Sequence, residues 1–161
     1  MRKIIVLMLL LSFSSIADDK LHLSLINGGW NCSDNFDEGD ITGTIKSRYK
    51  YDSTKLSYEI YVTTEFTYQG KVPFGVINII EKGNFSYNSA KMIYTPISAK
   101  AEILEDPFES FTPEMLTDME KELMAEDNTK YQTTSISKLE WETLDPTDST
   151  RSLCFRDITS H

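Results

Sequence analysis

The sequence predicts a mainly β domain, either an antiparallel β-barrel or a strongly curved sheet, with one late α-helix. Two long stretches, Ile41 to Tyr51 and Leu56 to Tyr68, alternate apolar and polar residues with the period of two that is typical of a half-buried strand. Turn-forming residues follow each stretch, and one later segment has helical spacing. A β-sandwich is the alternative architecture, because short hairpin-connected strands can build both.

Shorter segments of strand-like composition lie between glycines, prolines and an asparagine-serine pair, which punctuate β structure. In chain order they are Trp30 to Phe36, Phe74 to Glu81, Asn84 to Tyr87, Lys91 to Thr95, Ile97 to Leu104, Tyr131 to Leu144 and Ser149 to Arg156. Two strands are therefore expected after the helix.

The helix is predicted to begin after Thr112 and to end near Ala125. Thr112 is a suitable N-cap, and Pro113 suits the first helical position, where its missing N–H has no helical partner. Apolar residues then recur at helical spacing, at Met115, Leu116, Met119, Leu123 and Met124. We expect this apolar side to pack on the sheet.

The first 17 residues are predicted to be a secretory signal peptide. Arg2 and Lys3 precede an unbroken apolar run from Ile4 to Leu11, and Ser15-Ile16-Ala17 offers small residues for cleavage before Asp18. The run is short for a membrane span. We therefore expect a periplasmic or secreted protein, with residues 18–161 forming one β-rich domain that has no stable membrane span after cleavage.

The charge of the chain limits its partners. It has 16 basic and 25 acidic residues, and loss of Arg2 and Lys3 would change the net charge from −9 to about −11. An acidic chain without a basic stripe is repelled by nucleic-acid phosphates. A nucleic-acid partner is thus not expected, whereas a basic protein remains a candidate partner.

Cys32 and Cys154 are the only cysteines, and an even number in an exported protein favours a disulfide bond between them. The only histidines, His22 and His161, lie near the ends of the mature chain and are expected to be exposed. With no thiol and no internal histidine available for nucleophilic catalysis, an enzyme is not predicted. No cofactor is predicted either.

One acidic segment is a weak calcium candidate. Asp34, Asp37, Glu38 and Asp40 offer hard oxygen ligands, which suit Ca²⁺. Their spacing is not that of an EF-hand loop, so a solvated acidic loop is the favoured interpretation and no metal is expected.

Gly28 and Trp30 near the start and Arg156 near the end form a pattern that resembles small bacterial secreted lipocalin-like (calycin) proteins of unknown function. In that family Gly-x-Trp lies on the first strand, and an arginine from near the last strand packs across the Trp ring. The resemblance implies a structural seam, with a cation–π contact between Trp30 and Arg156.

Tyrosines on the predicted strands are candidate ligand-lining residues, namely Tyr49, Tyr51, Tyr58 and Tyr68. Several share a strand face with isoleucine or leucine, so they either line a pocket or fill a small core. The sequence accordingly predicts a non-catalytic binding protein that holds a small apolar or aromatic ligand in a lipocalin-like barrel. The alternative is an acidic inhibitor or immunity-type protein that binds a basic enzyme, with electrostatic steering to its partner.

Overall fold

The computed structural model describes residues 19–125, 130–147 and 149–158; the predicted signal peptide and His161 lie outside these ranges. A first helix, α1, spans residues 19–26. The strands and the second helix are β1 (Gly28–Glu38), β2 (Ile41–Asp52), β3 (Ser57–Tyr68), β4 (Val72–Asn88), β5 (Lys91–Glu105), α2 (Pro113–Met124), β6 (Lys130–Ile136), β7 (Glu140–Leu144) and β8 (Arg151–Arg156).

The eight strands form one antiparallel sheet that closes into a ring. Each strand pairs with the next, and β8 pairs with β1 to complete the circle. Cys32 lies directly opposite Cys154 in this last pairing, and the two are joined by a disulfide bond across a sequence separation of 122. The predicted fold class and the predicted cysteine pairing are both confirmed.

β4 and β5 are each one long strand, although the sequence predicts two short strands in both places. A register shift at Lys82/Gly83 absorbs the irregularity, and Pro96 lies opposite Gly83. A Cβ atom on Gly83 would lie 2.3 Å from the Thr95 carbonyl oxygen. The glycine therefore permits a close approach of two backbones and does not mark a turn.

Three strands follow α2, and the expected single strand from Tyr131 to Leu144 is a hairpin of β6 and β7. The Ser137 hydroxyl accepts hydrogen bonds from the backbone N–H groups of Leu139, at 3.2 Å, and Glu140, at 3.0 Å. This side-chain cap stabilises a turn that contains neither glycine nor proline, which is why composition gives no signal for it.

The barrel interior is filled largely by aromatic side chains. Its buried residues include Trp30, Tyr51, Tyr58, Phe85, Met92, Tyr94 and Trp141. Trp141 makes edge contacts with Trp30 and Tyr51, each with ring centroids 5.5 Å apart. A filled interior of this kind is typical of an eight-stranded barrel.

Helix α1 covers the end of the barrel at which β1 begins. Ile26 is fully buried, and its carbonyl oxygen accepts a hydrogen bond from the Trp30 indole at 2.8 Å. His22 is half-buried, with its Nδ1 atom 2.7 Å from the Tyr87 hydroxyl, so the expectation that it is exposed is wrong. None of the helices in the described ranges is long and apolar enough to cross a membrane.

Helix α2 begins as the sequence predicts and packs against β5. The Thr112 hydroxyl accepts a hydrogen bond from the Met115 N–H at 3.3 Å, and Pro113 is the first helical residue. Every residue of α2 is described, and none of them is fully buried. The helix therefore lies on the sheet without filling the space beneath it.

Candidate functional site

β2 presents two tyrosines side by side to the barrel interior. Tyr49 and Tyr51 alternate onto the same face, with stacked rings whose centroids are 5.8 Å apart. The hydroxyl of Tyr51 shares a hydrogen bond with that of Tyr94 from β5. Burial raises the pKa of all three phenols, so each stays neutral over the physiological pH range.

These rings border a small, partly open cavity of about 210 Å³, which we call the barrel cavity. Tyr131 and Trp141 complete its aromatic wall. Its acidic lining residue is Asp34, which accepts a hydrogen bond from the Ser152 hydroxyl at 3.0 Å. The volume lies below the range of about 300–1,000 Å³ that is usual for small-molecule sites.

The other two tyrosine candidates lie elsewhere. Tyr58 is buried in the core, and its ring makes an edge contact with Tyr94 at a centroid distance of 4.9 Å. Tyr68, at the end of β3, is 41% exposed. The structure thus brings Tyr49 and Tyr51 to the barrel cavity but leaves Tyr68 at the surface.

A larger cavity of about 310 Å³ lies between α2 and the sheet, and we call it the α2 cavity. Ile79 and Glu81 of β4 form part of its floor, together with Tyr94 and Pro96 of β5. Its other wall is the side of α2 that carries Met119, Glu122 and Leu123. Because Tyr94 borders both cavities, the α2 cavity begins where the packed aromatic core ends.

Glu81 is the unusual residue of the α2 cavity. Its carboxylate accepts a hydrogen bond from the Tyr58 hydroxyl, which fixes it on the inner face of the sheet. Burial raises the pKa of the Glu81 carboxyl, and the hydrogen bond from Tyr58 opposes part of that rise. A partly desolvated carboxyl group in a largely apolar cavity is a common feature of binding sites.

Sequence reasoning missed Glu81, although a signal was present. In β4 the alternation places Glu81 on the same strand face as Ile77 and Ile79. Ile77 is 2% exposed, so this face is the buried one. A charged residue at the buried phase of an alternating strand is the pattern that identifies the position.

The seam residues form a compact structural cluster. The Arg156 guanidinium lies 4.0 Å from the centroid of the fully buried Trp30 ring. Its nitrogens donate hydrogen bonds to the carbonyl oxygens of Asn27 at 2.6 Å, of Lys138 at 3.2 Å and of Leu25.

Gly28 accommodates this cluster. Its φ of +105° is a conformation that L side chains rarely adopt, and a Cβ atom there would lie 3.1 Å from Arg156 Nη1. The Trp30–Arg156 contact that the resemblance implies is therefore present, and it joins the two ends of the described sheet.

The structure does not bring the four acids of the weak calcium candidate together. Asp34 points into the barrel cavity, whereas Asp37, Glu38 and Asp40 are exposed on the β1–β2 hairpin. In the described ranges no three acidic, histidine or cysteine residues lie close enough to hold a metal ion. Strand alternation turns Asp37 to the face opposite Asp34, whereas Glu38 and Asp40 lie beside the turn at the tip of the hairpin.

Comparison of the chain with models of protein families and with curated proteins found no match.

Proposed function

We propose that this is an exported, non-catalytic binding protein that holds a small apolar or aromatic ligand in its lipocalin-like barrel, at the α2 cavity. The observation that carries the proposal is the unfilled space of about 310 Å³ beneath α2. An amphipathic helix normally buries its apolar side on the sheet, but here Met119 and Leu123 border a cavity instead. The volume is large enough for a small organic molecule.

The neighbouring core supports the same function. The aromatic packing around Tyr51, Tyr58 and Tyr94 provides a rigid, pre-formed floor, so little conformational entropy is lost when a ligand settles on it. The helix contributes flexible methionine and leucine side chains, which adapt to ligands of different shape.

Export is also part of the proposal. A disulfide bond between Cys32 and Cys154 persists in oxidising compartments such as the periplasm or the extracellular medium. The predicted signal peptide supports the same location.

The test is native mass spectrometry of protein isolated from the envelope or medium of its own host. We expect a small-molecule adduct on the wild type and on a Met115→Trp variant, because Met115 is 46% exposed and does not line the cavity. We expect the adduct to be lost from Leu123→Trp, in which the indole fills the space. A wild-type protein without an adduct, or an adduct that survives in Leu123→Trp, would contradict a ligand in the α2 cavity.

A second candidate function is an acidic inhibitor of a basic enzyme. It is favoured by the side chains at the end of the barrel opposite α1. Phe111 packs against Phe66 at a ring-centroid distance of 5.4 Å and brings the segment before α2 onto the strand ends. The acidic side chains of this end are Asp37, Glu38, Asp40, Glu105, Asp106 and Glu109. Phe108, which is 57% exposed, lies among them.

This candidate is tested by titrating lysozyme, a basic exported enzyme, into the protein at low and at high salt. An inhibitor would bind more tightly at low salt than at high salt, and Phe108→Ser would weaken binding. Equal, negligible heats for wild type and variant would exclude lysozyme as the target.

A further inference from the structure

Within the α2 cavity, the charge is of one sign. Two carboxylates border it, Glu81 on the floor and Glu122 on the helix, and none of the described residues that line it is a lysine, arginine or histidine. Glu81 is half-buried, and the hydrogen bond from Tyr58 replaces only part of the hydration that its carboxylate has lost. A cation that enters the cavity would restore that stabilisation.

The groups that face Glu81 come from each element packed around it. Tyr58 of β3 donates its hydroxyl hydrogen bond, Tyr94 of β5 presents its ring, and Glu122 lies across the cavity on α2. Tyr49 of β2 is close enough to Glu81 for the charge of Glu81 to raise the pKa of the Tyr49 phenol. All of these groups are neutral or negative near neutral pH, so the field at the Glu81 carboxylate favours positive charge.

Two charged neighbours of Glu81, one on its own strand and one on α2, are engaged elsewhere. Lys82 follows Glu81 in the chain, but strand alternation sends it to the outer face, where it forms an ion pair with Glu59 at 2.5 Å. Glu120 of α2 likewise points away from the cavity and accepts a hydrogen bond from the Ala101 N–H at 2.9 Å. Neither of these residues pairs with Glu81, so its carboxylate remains available to a ligand in the α2 cavity.

The rings on the floor add a second attraction for a cation. The Tyr58 and Tyr94 rings meet edge to face, and Tyr94 presents part of its surface to the cavity. An ammonium group beside an aromatic face is attracted by the negative charge of the ring face, more strongly where water is excluded. An apolar body attached to the ammonium group would lie against Ile79, Met119 and Leu123.

We propose that the ligand of the α2 cavity is a small aryl-alkyl amine whose protonated nitrogen pairs with Glu81 beside Tyr94. This inference rests on the proposed function and specifies the chemical class of its ligand. Charge pairing supplies the selectivity, and the apolar wall supplies much of the contact area.

The pairing makes binding depend on pH in a defined direction. Burial raises the pKa of the Glu81 carboxyl in the protein without ligand, and a bound ammonium group would lower that pKa again. At a pH below the raised pKa, the amine therefore binds with release of the Glu81 proton. An alkylamine has a pKa of about 10 and stays charged throughout. The affinity for the amine should therefore weaken as pH falls, approaching a tenfold loss per pH unit once Glu81 is protonated.

The experiment compares 2-phenylethylamine with 2-phenylethanol, a neutral molecule of the same shape, by calorimetric titration of the folded, disulfide-bonded protein. For the wild type we expect the amine to bind at least about tenfold more tightly than the alcohol. Glu81→Gln should abolish this preference and the pH dependence while the alcohol still binds. Glu102→Gln is the matched control, because it removes one negative charge from the exposed side of β5 and should keep the preference.

The outcomes separate the two proposals. If the wild type binds both probes equally, or if Glu81→Gln keeps the preference, the amine inference is wrong while a ligand-binding cavity stands. If neither probe binds the wild type at millimolar concentration, the inference fails, and the host-derived adduct then decides the proposed function independently. A wild-type affinity for the amine that does not change with pH would also overturn the role of Glu81, without any variant.

Discussion

Arg156, on the last strand, connects the two ends of the described sheet through its contact with Trp30 on the first strand. Its guanidinium covers the Trp30 ring and donates hydrogen bonds to three backbone carbonyl oxygens, two of them in or just after α1. Burial lowers the pKa of Arg156 from its ordinary value, but the group remains charged at physiological pH. One side chain therefore stabilises the first strand, the last strand and the helix that covers the barrel end.

We predict that Arg156→Ala lowers the free energy of unfolding by about 2 kcal/mol, through loss of the cation–π contact and of charge-assisted hydrogen bonds. Urea unfolding followed by tryptophan fluorescence measures this change. Arg151→Ala is the control, because Arg151 is largely exposed and its ion pair with Glu142 should contribute less than about 1 kcal/mol. Equal midpoints for the two variants would contradict the structural role of Arg156.

Glu81 is a residue whose ionisation opposes folding. The folded protein holds the Glu81 proton at pH values where the unfolded chain has released it, because burial raises the folded pKa above the ordinary 4.5. The contribution of this group to stability is therefore present at low pH and is lost as pH rises through the folded pKa.

We predict that Glu81→Gln is more stable than the wild type at neutral pH, and that its advantage shrinks as pH falls towards the ordinary pKa of a glutamate. Urea unfolding at a series of pH values measures the difference, with Glu102→Gln as the surface control. An advantage for Glu81→Gln that stays constant across the series would show that Glu81 does not titrate as the geometry requires.

At the scale of elements, α2 protects the part of β5 that has no strand partner on one side. β6 pairs with β5 only at Lys91 to Ile93, so the rest of β5 presents an edge, and Glu120 accepts a hydrogen bond from the Ala101 N–H there. A side chain that accepts a hydrogen bond from an N–H group of a strand edge also hinders pairing of that edge with another chain. The helix thus covers the cavity and the sheet edge together.

We predict that Glu120→Ala speeds amide hydrogen exchange at Ala101 about fivefold, which corresponds to loss of one hydrogen bond of about 1 kcal/mol. Glu120→Gln retains an acceptor oxygen and should exchange at nearly the wild-type rate. If both variants exchange like the wild type, the edge is protected by something other than Glu120.

The element scale also shows where sequence reasoning succeeds. The Thr112 cap and the alternation in β2 and β3 depend on neighbours a few residues away, so they can be predicted from the chain alone. The continuity of β4 through Gly83 depends on the Thr95 carbonyl of another strand, and composition cannot reveal that contact. The β6–β7 turn likewise depends on hydrogen bonds of the Ser137 hydroxyl, which composition does not reveal.

At the scale of the whole molecule, the disulfide joins two strands that are already paired. Cys32 and Cys154 are opposite each other in the β1–β8 pairing, so the bond fixes the ring where it closes. Its main effect is on the unfolded chain, in which it closes a very long loop.

We predict that Cys32→Ala combined with Cys154→Ala lowers the free energy of unfolding by about 3–5 kcal/mol. Denaturant unfolding with and without reductant measures this change in the free energy of unfolding. Reductant should destabilise the wild type and leave the double variant unchanged. Wild-type protein that shows two free thiols after denaturation without reductant would mean that the bond does not form.

The sequence by itself determined the class of fold, the cysteine pair and the start of α2, because alternation, cysteine number and capping are local or compositional properties. It also indicated Trp30 and Arg156 as partners, through the resemblance. Tertiary structure alone decided that Glu81 meets Leu123 across an unfilled cavity and that Tyr68 does not share the interior with Tyr49. A cavity is the space left between side chains from distant elements, so its existence and its charge depend on how those elements pack, which no local pattern records.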